Sequence, residues 1–126
     1  MGTTVGYSPD SFAPYTGTTP RVLDTRLAGG KFAAGETRVV DFSAVAPLGT
    51  AVVFNLTADQ PGGIGFLSAF SADLADWPGN STLNYGPTTP NIANGVICAL
   101  GAGNKIKIRC GDAATHVIVD VIGYLL

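Results

Sequence analysis

The chain has 126 residues, 46% of them apolar and only 13% charged, with a formal net charge of −2. Its seven basic residues are scattered and form no stripe able to neutralise a run of phosphates, which argues against nucleic-acid binding. No run of about 18 apolar residues is present to span a membrane as a helix. The 17 glycines and 8 prolines suit short strands and tight turns and fit long helices poorly.

One domain is expected over residues 20–126, preceded by an extended arm at 1–19. The arm has no sustained period and contains Pro9 and Pro14. Tyr7, Phe12 and Tyr15 give it apolar handles for packing on its own domain or on a neighbour. Strand signals follow at 21–26, 35–43, 50–58 and 64–70, the last two separated by Pro61-Gly62-Gly63 and close enough for a hairpin. Residues 71–80 read as a loop, 81–85 as a short strand, and 86–94 as a loop in which two prolines block regular pairing.

Strands at 95–100 and 105–110 flank the turn Gly101-Ala102-Gly103-Asn104 and form the best local hairpin candidate. Ile106, Ile108 and Cys110 share one face and Lys105, Lys107 and Arg109 the other, an alternation that buries one side and wets its opposite. Residues 117–122 are apolar on both sides and belong in the middle of a sheet. The sum is an all-β protein: an antiparallel β-sandwich, jelly-roll-like, of about eight strands.

Catalytic constellations are scarce. His116, the single histidine, shares a strand with Asp120, but four residues at about 3.3 Å each put them about 13 Å apart, too far for a His–Asp relay. No Gly-x-Ser-x-Gly elbow presents a serine. One histidine and two cysteines give no zinc spacing, and Asp73, Asp76 and Asn80 lack the oxygen ladder of a calcium loop. No catalytic residue, metal or cofactor is therefore expected. Cys98 and Cys110 flank the hairpin turn with buried parity and are open either to a disulfide or to two buried thiols. Trp77 and Tyr85 are candidate contacts to a glycan or a partner, Trp77 alternatively serving as a lid on the core.

The densest charge lies in Arg21-Val22-Leu23-Asp24-Thr25-Arg26. Regular strand alternation sends Asp24 and Arg26 to one face and Arg21 to the other. Asp120 stands between Val119 and Val121, where an unpartnered carboxylate is costly. The expectation is a structural ion-pair network of Arg21, Asp24, Arg26 and Asp120, with a bidentate arginine–carboxylate pair tying the first strand to the last.

"RVLDTR", "VVFNLTADQPGGIGFLSAF", "STLNY" and "THVIVDVIGY" together resemble a β-rich surface domain of actinobacteria, over roughly residues 20–124. That domain is appended to secreted proteases and cell-wall hydrolases and also occurs in virion proteins of phages that infect those bacteria. The resemblance implies a non-catalytic attachment role and carries over no catalytic residue. The amino end has neither the positive nor the apolar region of a signal peptide. A copy of this kind suits a virion surface protein, above all a capsid decoration protein that binds the major capsid protein as a homo-oligomer, with a trimer favoured. The alternative is a module binding cell-surface glycan, from a phage tail protein or a secreted enzyme.

Overall fold

The structure, a computed structural model, describes residues 11–126. Among them are nine strands and no helix: β1 (Phe12–Pro14), β2 (Arg21–Asp24), β3 (Thr37–Asp41), β4 (Ala51–Asp59), β5 (Gly65–Ser71), β6 (Leu83–Tyr85), β7 (Asn91–Ala99), β8 (Lys105–Gly111) and β9 (His116–Leu125). One sheet runs β1-β9-β4-β7, with β2 also paired to β9; the other runs β3-β8-β5-β6. All pairings are antiparallel. Leaving out β1, the orders 2-9-4-7 and 3-8-5-6 are those of an eight-stranded jelly roll, in which every connection except β5–β6 passes from one sheet to the other.

Alternation explains which sides meet. β4 buries Val52, Phe54, Leu56 and Ala58, and β8 buries Ile106, Ile108 and Cys110. These close on Leu67, Leu83, Val117 and Val119 to form one core between the sheets, with Phe42 and Phe54 tilted against each other at 5.5 Å. β9 lies between β4 on one side and β1 and β2 on the other, the interior position its doubly apolar pattern demands.

Two expectations about pairing fail for one reason. The turn at 101–104 does not make a β7–β8 hairpin, and Pro61-Gly62-Gly63 does not join β4 to β5 in one sheet. Both turns reverse the chain while carrying it across the core, with Gln60 and Asn104 at φ of 55° and 61°. A turn signal marks reversal without specifying the sheet the chain enters next. Cys98 and Cys110 consequently stand on facing sheets and not across a hairpin; both are free, buried thiols.

The predicted loop at 86–94 is loop only through Pro90, because β7 begins at Asn91. In the arm, Phe12–Pro14 is a strand of the home sheet, and Phe12 lies where a side chain on Gly123 would stand. Tyr15 packs against the core. Tyr7 lies outside the described residues.

Hydrogen bonds between loops fix both ends of the sandwich. At one end Lys31 Nζ donates to Gln60 O (2.7 Å), Gln60 N to Pro90 O (2.9 Å) and Gly62 N to Ala114 O (2.8 Å), joining four connections. At the other end Asn104 Nδ2 donates to Ala46 O (2.6 Å) and Ala102 N to the Asp73 carboxylate (2.8 Å).

Candidate functional site

Arg21 and Asp24 do not point apart. Arg21 pairs with Asp120 while Leu23 pairs with Val119, so two steps on β2 match one on β9. This bulge at Val22 inserts one residue and brings Arg21 round to the side of Asp24.

The result is a chain of alternating charge. Asp120 accepts from Arg21 Nε (2.8 Å) and Nη2 (3.2 Å), and Arg21 Nη1 reaches Asp24 Oδ2 at 3.3 Å. Asp24 also accepts from Arg26 Nε (3.0 Å), Nη2 (2.9 Å) and backbone N (3.1 Å). Arg26 then faces Asp59 at 3.5 Å. Two forked guanidinium–carboxylate pairs thus tie β9 to β2 and β2 to the turn after it, and the single Arg26–Asp59 contact extends the network to the end of β4. The side chain of Asp24 is 5% exposed, whereas those of Arg21 and Arg26 are 48% and 40% exposed, so the network is a surface brace and not a buried pair. Hydrogen bonds from Arg26 hold the Asp24 carboxyl down to about 2, and the bond to Asp120 raises Arg21.

His116 stands opposite Asp59 across the β4–β9 ladder, apart from Asp120. Its Nδ1 lies 3.0 Å from Thr25 Oγ1, and that hydroxyl accepts from Val117 N at 2.8 Å. Thr25 is buried, so the contact pins the turn after β2 to the start of β9. Among the described residues no pocket opens at this cluster, and no group of three or more His, Cys, Asp or Glu is placed to hold a metal ion.

A second brace has no counterpart in the sequence reading. Arg38 Nε donates to Glu36 Oε2 (2.7 Å), its Nη atoms donate to Gly30 O (3.1 Å) and Lys31 O (2.9 Å), and its guanidinium lies 4.2 Å above the Phe32 ring. These bonds lower the Glu36 carboxyl and hold the β2–β3 connection in place. The Glu-x-Arg spacing on alternating strand positions is the one signal that would have shown it.

The aromatic candidates separate. Trp77 stacks on Phe66 at 5.3 Å, lies 5.1 Å from the Arg109 guanidinium and donates Nε1–H to Asn80 O (2.8 Å). It is a lid, but on the outer face of the β3-β8-β5-β6 sheet and not on the core. Lys107 Nζ to Leu74 O (2.7 Å) and Ser68 Oγ to Asn80 Oδ1 (2.9 Å) hold the same loop down. Tyr85 is no surface contact. It is 4% exposed, shares the inward side of β6 with Leu83, and donates its hydroxyl to Ala113 O at 2.6 Å. Burial first, then the Cys110 thiol at 3.4 Å, raises its hydroxyl well above the ordinary range. Burial also pushes Cys98 up to about 11 and raises Cys110.

Other exposed apolar side chains are spread over the surface, Leu48 on the β3–β4 connection (72% exposed) among them. Leu27 (83% exposed) and Ile64 (72%) project from the β2–β3 and β4–β5 connections at the end of the sandwich that carries Lys31 and Gln60. On the outer face of the larger sheet, Ile97, Val53 and Gly123 lie side by side in register, with Ile97 61% exposed. Comparison of the sequence with protein-family models and with curated proteins finds no match.

Proposed function

We propose that this chain is a non-catalytic surface protein of a virion, a capsid decoration protein that seats on the major capsid protein and stabilises the head shell. The observation that carries the reading is the loop end bearing Leu27 and Ile64. Large apolar side chains are displayed there on a backbone held rigid by bonds between neighbouring loops. Ordering that end on a partner costs little entropy, and desolvating two branched side chains contributes about 1.5–3 kcal/mol each when they are fully covered. The charged residues of β2 and β9 are engaged with one another, so contact by packing suits this surface better than salt-sensitive steering.

The resemblance to a domain found in actinobacteriophage virion proteins points the same way. The jelly roll is compatible with it but serves lectins and cupins equally, so fold alone does not choose. A glycan-binding reading leaned on Trp77 and Tyr85; one is stacked on Phe66 and the other is in the core, which leaves it the weaker alternative.

The test is to purify phage particles from lysates of the strain that carries the gene and probe them with antibody to this chain. Labelled heads are expected, together with loss of binding to stripped heads by Leu27→Asp/Ile64→Asp at unchanged melting temperature. Particles without the chain overturn the reading.

A further inference from the structure

β7 is an unprotected sheet edge. It pairs with β4 and, among the described residues, with no other strand. Edges are normally blunted by charge, proline, bulges or shortness, and the other three edges of this sandwich follow that practice. β3 carries Arg38 and Asp41, β6 has three residues, and the β1/β2 edge has Pro14, Arg21 and a bulge. β7 is nine residues of Asn-Ile-Ala-Asn-Gly-Val-Ile-Cys-Ala, with no charge, no proline and unbroken register against β4.

The hydrogen-bond phase of this edge is fixed. Gln60 N bonds Pro90 O and Leu100 N bonds Thr50 O, so the even-numbered residues of β7 face β4. The odd-numbered residues Asn91, Ala93, Gly95, Ile97 and Ala99 therefore turn their N–H and C=O groups to the open edge. Gly95 is the midpoint of that set. A Cβ placed on it meets nothing within 4 Å, and its φ is outside the left-handed region. Neither packing nor backbone conformation within one copy calls for glycine there, although glycine weakens a strand interior. A strand glycine with open space beside it leaves room for another backbone to approach closely.

We infer that β7 pairs antiparallel with β7 of a second copy about a two-fold axis at Gly95, joining the two five-stranded sheets into one continuous sheet. In that register Gly95 meets Gly95, Ala93 meets Ile97 and Asn91 meets Ala99 of the second copy, and about ten N–H···O bonds form. No charged side chain of β7 meets its like, and each exposed Ile97 is covered next to an alanine. An edge of ~30 Å on a sandwich ~20 Å thick covers about 600 Å² per copy, the low end for a stable pair, so the dimer is concentration-dependent. The inference uses the strand edge and not the Leu27 end, and it stands whether or not the protein is found on virions.

Sedimentation equilibrium of the purified chain from micromolar to millimolar concentration tests it. The wild type shifts from monomer to dimer. Gly95→Glu and Gly95→Lys, each placing like charges face to face on the axis, associate several-fold more weakly alone, and an equimolar mixture of the two restores the dimer. Ala93→Pro removes an outward donor without touching the β4 ladder and also weakens pairing. Hydrogen exchange at high concentration slows at Ala93, Gly95 and Ile97. A monomer throughout, a trimer, or a dimer indifferent to Gly95→Glu and Ala93→Pro overturns the inference.

Discussion

Arg21 and Asp120 lie 99 positions apart and meet in a two-point hydrogen-bonded pair, 2.8 Å at Nε and 3.2 Å at Nη2. The pair joins the edge strand β2 to the interior strand β9, and it exists because a bulge at Val22 redirects Arg21. Arg21→Ala lowers the thermal midpoint, and Arg21→Lys recovers little of it, since an ammonium cannot reproduce the fork. Because both side chains are partly solvated, the loss is modest and shrinks in high salt. An unchanged midpoint for Arg21→Ala would show that the brace is ornamental.

Acid acts on the neighbouring pair. Asp24 titrates at about 2 in the folded chain against an ordinary 3.8, because Arg26 hydrogen-bonds the charged form. A depressed folded value means that the stabilisation is complete above about pH 4 and is lost as pH falls through about 2. Asp24→Asn removes that part of the acid dependence. Urea midpoints of the two proteins, compared from pH 7 down to pH 2, are expected to converge at the acid end.

Gly111 pairs with Phe66, whose ring occupies the space of the missing side chain. Gly111→Ala forces the ring and its stacked partner Trp77 to move, at about 1–3 kcal/mol by the usual cost of overpacking. Trp77 is the single tryptophan, so its emission reports the displacement directly. A shifted emission maximum with lowered stability is the expected result.

Tyr85→Phe leaves Ala113 O without its 2.6 Å donor beneath the β8–β9 connection. The carbonyl keeps only the weaker Cys110 thiol at 3.1 Å, so stability falls by about 0.5–1.5 kcal/mol, the net worth of one hydrogen bond. Chemical denaturation with an unchanged m-value checks that the loss is local.

Both thiols are buried, and burial raises both above the ordinary range. A disulfide-exchange reagent therefore reacts slowly with the native protein and counts two thiols after denaturation. Fast reaction of either cysteine without denaturant contradicts the fold around it.

Side-chain alternation made strand positions and their buried sides legible. Lys105, Lys107 and Arg109 against Ile106, Ile108 and Cys110 placed β8 correctly, and a run apolar on both sides from Val117 to Ile122 placed β9 inside a sheet. Pairing was not legible, because Pro61-Gly62-Gly63 and Gly101–Asn104 say where the chain turns and not which layer receives it. The charged cluster was readable in membership and misread in geometry: nothing local announces the bulge at Val22, and Asp59 joins only through the β4–β9 register. Tyr85 shares the parity of Leu83, and that alone was enough to send it inward.

Leu126 N donates to Ser11 O at 2.8 Å, so the described chain enters and leaves the sandwich at one point. A body whose two ends meet can be spliced into a loop of a host protein, or rejoined and opened elsewhere, without unthreading a strand. The joined ends lie at the Ala51 end of the β4–β9 ladder, away from the Asp59 end where the loops bearing Leu27 and Ile64 begin, so such a splice leaves those loops undisturbed.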